Sequence, residues 1–148
     1  MAQFNEHIVI RTRSTSVREA ETRLKSVLRK LRLSDSEEHD LLVASSEAVN
    51  NAVSHGNKNN QTKNVTVDVG YVENEVTVSV EDEGGGFNPD SLPDPLSPEN
   101  LLKPSGRGIL IMKSLMDTVD FEFTSRGTRT VLKKKIHQRR EHEKVSDI

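Results

Sequence analysis

Apolar and polar residues alternate in two stretches near the middle of the chain. In Asn64–Tyr71 and Glu75–Val80 the valines occupy every second position, a period that places one side of an extended chain in a core and predicts two strands. The pair Glu73-Asn74 between them predicts a hairpin turn. Weaker alternation predicts three further strands, over Gln3–Thr12, Thr118–Thr124 and Thr128–Lys134, the last two joined by a turn at Arg126-Gly127.

Apolar residues at helical spacing predict three helices. Between Val17 and Leu31 they recur every three or four positions, which gives one apolar stripe. The second helix is predicted to begin after Ser34, whose hydroxyl can cap free N–H groups while Glu37 returns a bond. It should continue for about twenty residues to Gly56, a natural helix end. A third helix is predicted over 108–116.

The segment Asn88–Pro104 is rich in proline and has no clear periodicity. It predicts a long loop, and because such loops in compact domains usually serve a function, we expect a mobile lid. The whole order is strand, helix, helix, hairpin, loop, helix, hairpin. This order predicts an α/β fold, a two-layer sandwich with a mostly antiparallel sheet and helices on one face.

Length and composition limit the possible functions of the protein. The chain has 148 residues, a net charge of −2 and no cysteine, which fits one domain without disulfides or a thiolate zinc site. The charge argues against direct nucleic-acid binding. Without an apolar run of membrane-spanning length or a signal peptide, we expect a cytoplasmic protein with no membrane partner. We interpret 1–135 as the domain and 136–148 as a basic, flexible tail.

The second predicted helix carries a row of polar residues. Glu47, Asn51 and His55 follow one another at steps of four, so they share one helix face. An amide oxygen with nucleotide phosphates suits Mg²⁺, and a carboxylate beside it can accept a proton from a hydroxyl. Taken alone, the row is more typical of a solvated polar face with a histidine near the helix C-terminus.

Two glycine-rich segments are the other candidates. In Asp82–Gly86 a carboxylate at a strand end can accept the exocyclic amine of adenine, while glycines let the backbone approach a planar base. In Ser105–Ile109 two glycines flank a predicted helix start, where free N–H groups can bind phosphates. Taken alone, the first segment also fits a simple turn and the second a loop hinge. Neither is a Walker P-loop.

The three motifs occur in one order, and together they resemble the GHKL ATPase superfamily with its Bergerat-type ATP-binding fold. The resemblance covers about Phe4–Lys134. The short chain and the residues of the first motif resemble one branch, the anti-sigma-factor serine kinases of bacteria. The three motifs match as SEAVNNAVSHGN at 46–57, EDEGGGF at 81–87 and SGRGI at 105–109, and a Gly-Thr motif at 127–128 matches as well.

The resemblance implies ATP and Mg²⁺ as cofactors. It implies Glu47 as the general base and Asp82 as the adenine ligand. For Mg²⁺ it implies Asn51 and not the neighbouring Asn50, because Asn51 lies four residues from Glu47. The other residues that it places at the nucleotide are His55, Gly56, Gly84, Gly86, Gly106, Gly108, Ile109 and Thr128.

One position departs from the branch. Its members often carry an arginine two residues before the first glycine of the second glycine motif, where it can touch the terminal phosphate. This chain has Pro104 there. Lys103 and Arg107 are the candidate substitutes, and Arg107 is preferred because its guanidinium can hold two phosphate oxygens.

By resemblance we expect a homodimeric serine/threonine kinase. It would phosphorylate an anti-sigma-factor antagonist and sequester a sigma factor. Two other functions remain open at this point. One is a non-catalytic module whose nucleotide only sets partner affinity. The other is a detached histidine-kinase catalytic domain, whose phosphorylated product would be acid-labile.

Overall fold

The computed structural model describes residues 3–84 and 106–137. They form an α/β sandwich of five strands and three helices, so the predicted fold class is confirmed. A π-helical turn over Ala52–Gly56 continues the second helix. The elements are β1 Phe4–Arg11, α1 Ser16–Arg29, α2 Asp35–Asn51, β2 Asn64–Val72, β3 Glu75–Glu81, α3 Gly106–Leu115, β4 Thr118–Phe123 and β5 Thr128–Lys135.

The sheet is antiparallel throughout, with the order β1-β2-β3-β5-β4. The predicted hairpin joins β2 to β3, and Glu73 and Asn74 have φ of 51° and 63°. Such left-handed pairs twist in the same sense as the strands they join. Because β5 lies between β3 and β4, the end of β3 and the beginning of β5 are neighbours. The N–H of Asp82 accordingly donates to the carbonyl of Thr128 at 3.0 Å.

One face of the sheet packs against the helices and forms the core. The alternating valines of β2 and β3 are buried there against the apolar stripe of α1 and the broad apolar face of α2. Burying one such side chain contributes about 1.5–3 kcal/mol, so this layer stabilises the fold more than any single polar contact. The fully buried positions include Leu24, Leu28, Leu41, Val49, Val67, Val69 and Val78.

The ends of α2 differ in detail from the sequence expectation. At its beginning the Ser34 hydroxyl accepts the N–H of Glu37 at 3.1 Å, as the capping motif predicts. The Glu37 carboxylate bonds to the Ser34 hydroxyl at 3.1 Å and to the N–H of His137 at 2.9 Å. At its end the α-helix stops at Asn51, and the last turn before Gly56 is π-helical. The N–H of Asn57 closes this turn on the carbonyl of Ala52 at 2.8 Å.

The fold includes the first two residues of the predicted tail. Ile136 is buried and its N–H donates to the carbonyl of Asn74 at 2.8 Å, while His137 is bonded to Glu37 as described above. The rest of the predicted tail and the predicted lid at 88–104 lie outside the described residues. In the parts of the chain that are described, no helix is long and apolar enough to span a membrane.

Ser45 provides a test of the core. Its side chain is 0% exposed in the middle of α2, and its hydroxyl has no hydrogen-bond partner among the described residues. Because a buried unpaired hydroxyl costs free energy, Ser45→Ala should raise the free energy of unfolding by about 1 kcal/mol in urea denaturation.

Ser46→Ala is the matched control, since the Ser46 hydroxyl donates to the carbonyl of Leu42 at 2.8 Å. Ser46→Ala should raise the free energy of unfolding less than Ser45→Ala does. Lower stability of Ser45→Ala than of the unchanged protein would contradict the burial of an unpaired hydroxyl.

Candidate functional site

A buried carboxylate directly follows β3. The Asp82 side chain is 5% exposed, and its Oδ1 accepts the N–H of Gly84 at 2.9 Å and the N–H of Thr128 at 3.1 Å. Both bonds go to one oxygen, and they hold the carboxylate in a fixed orientation. Its second oxygen, Oδ2, lies against Gly56 at the end of the π-helical turn. An acceptor held in this way can read a donor group of a ligand.

Three glycines surround this carboxylate. A Cβ at Gly56 would overlap Oδ2 of Asp82, and one at Gly127 would overlap Oδ1. A Cβ at Gly84 would lie 2.6 Å from the carbonyl oxygen of Gly56. Backbone atoms of three separate segments therefore pack around Asp82 at a distance that only glycine permits. Gly127 belonged to the Gly-Thr motif but was not predicted as a site residue.

Burial raises the pKa of the Asp82 carboxyl. This effect outweighs the bonds from the N–H groups of Gly84 and Thr128, which favour the ionised form; nearby Glu81 adds to the rise and Lys63 opposes it. The folded chain therefore holds the proton of Asp82 more tightly than the unfolded chain does. The contribution of Asp82 to the free energy of unfolding therefore falls as the pH rises above about 4, the ordinary pKa of an aspartate. Ionised Asp82 is thus a cost to the fold at neutral pH.

A second group of polar atoms lies where α2 meets the first turn of α3. A Cβ at Gly108 would lie 2.7 Å from Oε1 of Glu47 and 3.7 Å from Oδ1 of Asn51. Both side chains are half-buried, whereas Asn50 is exposed. The glycine leaves room for two oxygen atoms beside a helix N-terminus, where the helix dipole favours anions.

These oxygens fit a magnesium ion that is shared with a nucleotide. Mg²⁺ prefers oxygen ligands and usually takes only one or two from the protein, with water and phosphates supplying the others. Asn51 offers an amide oxygen and Glu47 a carboxylate next to it. Among the described residues there is no group of three or more His, Asp or Glu side chains that would bind a metal without such help.

The other residues predicted to bind the nucleotide lie outside these two groups of polar atoms. Gly106 is the first residue of α3. Arg107 is exposed in the same turn, and His55 is exposed in the π-helical turn. The side chain of Ile109 is part of the core, so any contact with a ligand there would involve its backbone. Gly86 and Lys103 lie outside the described residues.

Asn57 has a role that the sequence analysis missed. It is 1% exposed, and its Nδ2 donates to Oγ1 of Thr12 at 2.9 Å and to the carbonyl of Asn64 at 3.0 Å. Its Oδ1 accepts the N–H of Glu83 at 2.7 Å. One amide thus ties the end of α2 to the ends of β1 and β3 and the beginning of β2. A signal was present, because asparagine directly after a helix-ending glycine often bonds to nearby backbone groups.

Comparisons with known proteins agree with this geometry. Residues 10–134 match the histidine kinase-like ATPase domain family. The anti-sigma F factor of Clostridium perfringens strain SM101 is 35% identical over 103 residues, which are 66% of this chain and 72% of that protein. The anti-sigma F factor of Clostridium acetobutylicum is 37% identical over 99 residues, which are 65% of this chain and 68% of that protein.

A solved structure shows the same fold. The RsbU and RsbW domains of a Mycobacterium tuberculosis protein align with a TM-score of 0.68 at 20% identity. The alignment covers 92% of this chain and 33% of that one, so this chain spans about a third of its length. The chain belongs to the histidine kinase-like ATPase family of ATP-binding domains, and within it to the anti-sigma-factor branch. The family predicted from the sequence motifs is confirmed.

Asn57→Ala should lower the stability of the fold. It leaves the N–H of Glu83, the carbonyl of Asn64 and the hydroxyl of Thr12 without their partner in a buried place, so we expect a loss of about 2–4 kcal/mol in the free energy of unfolding. Urea denaturation measures it. Asn50→Ala makes the same chemical change at an exposed helix position and should stay within about 0.5 kcal/mol of the unchanged protein. Equal stability of the two variants would refute the role given to Asn57.

Asp82→Asn should stabilise the protein without nucleotide at neutral pH. The amide can keep an oxygen acceptor for Gly84 and Thr128 without placing a charge in dry surroundings. Thermal unfolding midpoints measured between about pH 4 and pH 8 should show the variant gaining on the unchanged protein as the pH rises. Asp120→Asn, at an exposed position of β4, is the control. If Asp82→Asn instead loses stability relative to the unchanged protein as the pH rises, the raised pKa of Asp82 is contradicted.

Proposed function

We propose that the chain binds ATP with Mg²⁺ and transfers the γ-phosphate to a serine or threonine of an anti-sigma-factor antagonist. The observation that carries this proposal is the pair of sites along α2. Oxygens of Glu47 and Asn51 face α3, and Gly56 lies against Asp82. Glu47 and Gly56 are nine residues apart, about 14 Å along a helix. This span fits an extended nucleotide with its base at Asp82 and its phosphates at α3.

Asp82 would select the base. Its Oδ2 accepts a hydrogen bond from the exocyclic amine of adenine, whereas guanine presents an oxo group at the same position and is repelled. Gly56, Gly84 and Gly127 let the ring approach the backbone closely. Thr128, whose N–H bonds to Asp82, would contact the base through water.

Glu47 and Asn51 would carry the transfer step. When bound, Mg²⁺ supplies charge neutralisation at the phosphates, and the amide oxygen of Asn51 is its protein ligand. The Glu47 carboxylate orients the acceptor hydroxyl and takes its proton. N–H groups in the first turn of α3 bind the phosphate oxygens. Positioning and charge therefore account for most of the catalysis.

The partners follow from the relatives. The Clostridium relatives are called anti-sigma F factors, and we extend that role to this chain as the sequestration of a sigma factor. We further propose that the protein works as a homodimer in the cytoplasm. Its phosphorylated product should be stable to acid, as expected for a serine or threonine ester and not for phosphohistidine.

One observation favours a second candidate function. Pro104 occupies the position where related kinases often have an arginine, and Arg107 is exposed in the first turn of α3. Without a cation at the γ-phosphate, bound nucleotide would only set the affinity for partners. The protein would then be a nucleotide-gated interaction module.

Two variants separate these functions. Glu47→Gln should bind ATP within about threefold of the unchanged protein but transfer phosphate about 100-fold or more slowly, because only the proton acceptor is lost. Asn51→Ala should lose the Mg²⁺-dependent part of ATP binding. Calorimetry with and without Mg²⁺ measures binding, and transfer of labelled phosphate to a candidate antagonist measures catalysis. Asn50→Ala is the control for the neighbouring amide.

The outcomes are distinct. Full transfer activity of Glu47→Gln would exclude this residue as the base. Binding without transfer in the unchanged protein, with every candidate antagonist, would favour the interaction module.

A further inference from the structure

Beside the proposed base site, on the opposite face of the sheet, lies a second buried carboxylate. Glu81 and Asp82 are consecutive, so their side chains leave β3 on opposite faces. Glu81 is 8% exposed. Its Oε1 accepts a hydrogen bond from Nη2 of Arg126 at 2.9 Å, and Nη2 of Arg129 lies 3.7 Å away.

The other carboxylate oxygen of Glu81 is hydrogen-bonded to the turn between β4 and β5. Oε2 of Glu81 accepts the hydroxyl proton of Thr124 at 3.0 Å. With its proton directed there, the Thr124 hydroxyl can accept the N–H of Gly127 at 3.0 Å and the N–H of Arg126 at 3.3 Å. A hydroxyl has one donor and two acceptor sites, and the carbonyl of Gly127, at 3.2 Å, is the alternative acceptor for its proton.

This turn is the one that forms a wall of the base site. Gly127 lies against both Asp82 and the N–H of Gly84, where a Cβ would be 2.7 Å from the nitrogen. The next residue, Thr128, donates its N–H to Asp82 at 3.1 Å. Asp82 therefore holds the turn through its backbone from one face of the sheet, and Glu81 holds it through side chains from the other.

We propose that Glu81 is a positioning residue for nucleotide recognition, acting through Thr124 and Arg126 to set where Gly127 and Thr128 meet the base. The inference rests on the proposed function, because it takes Asp82 as the adenine ligand. Glu81 itself lies on the other face and does not touch the nucleotide. Its contribution is to the preference for adenine, since small shifts of a wall that contacts a planar base change which bases fit.

The chain offers a matched control. Glu122 on β4 accepts a hydrogen bond from Arg129 at 3.1 Å. Glu122→Gln thus removes a carboxylate from the same hairpin and from one of the same arginines. The pair Glu122–Arg129 is exposed, and the bonds that Glu81 makes to Thr124 and Arg126 are unchanged by that substitution.

The experiment measures dissociation constants for ADP and GDP by calorimetry, together with urea denaturation of each variant. Glu81→Gln should weaken ADP binding about tenfold and reduce the preference for ADP over GDP by a similar factor. Thr124→Val should do the same, because it removes the hydroxyl but keeps the shape. Thr124→Ser restores the hydroxyl and should restore the preference. Glu122→Gln should stay within about twofold of the unchanged protein.

A purely structural role predicts something else. In that case Glu81→Gln and Thr124→Val would lower the urea midpoint but leave the ratio of the ADP and GDP dissociation constants unchanged, and the proposal would be overturned. If Glu81→Gln does not fold, Arg126→Gln takes its place, because Arg126 is exposed and the substitution removes the same ion pair. It should reduce the adenine preference about threefold.

The proposed base site is tested separately in the same series. Asp82→Asn should abolish the preference for ADP. If the unchanged protein does not prefer ADP over GDP, the adenine site itself is wrong and the inference fails with it. If Asp82→Asn abolishes the preference while Glu81→Gln and Thr124→Val leave it intact, only the role of Glu81 is refuted.

Discussion

The buried carboxylate of Asp82 constrains the chain segments around it. A buried carboxylate must be hydrogen-bonded, and the N–H groups that satisfy it come from Gly84 and Thr128. Thr128 can reach it only because β5 pairs with β3. The close approach of three chain segments then requires glycine at positions 56, 84 and 127. Strand order, turn sequence and glycine placement thus all serve one charged group.

The two faces of the sheet contribute differently to stability. The face toward α1 and α2 is apolar and provides most of the stability. The other face is polar, with contacts such as the hydrogen bond between His7 and Asp68 at 2.6 Å, whose side chains are both exposed. Exposed pairs of this kind contribute little to stability. Glu81 differs from them because it is buried and bonded to the turn beside Asp82, and the role we propose for it is to position that turn.

Local features were predictable from the sequence. The β2–β3 hairpin follows from alternating valines and a turn pair that adopts left-handed φ, and the row of Glu47 and Asn51 follows from helical spacing. Each depends on residues within a few positions of one another. The contact of Glu47 with Gly108 and the bonds from Glu81 to Thr124 and Arg126 link residues more than forty positions apart, and periodicity does not specify such pairs. Only the family resemblance placed Glu47 and Gly108 at one nucleotide. The π-helical turn is likewise closed by Asn57, whose side-chain partners are Thr12 just after β1, Asn64 at the beginning of β2 and Glu83 just after β3.

The place of β5 between β3 and β4 has a consequence for how the chain folds. The β2–β3 hairpin closes a short loop. Pairing of β3 with β5 instead closes a loop of about fifty residues, which costs conformational entropy before the contacts between these strands form. We expect the hairpin to form early and the β3–β5 pairing late. The wall around Asp82 is completed by that late step. Nucleotide would therefore bind the finished fold and not a partly folded one, so a higher nucleotide concentration would raise the share of molecules that are folded.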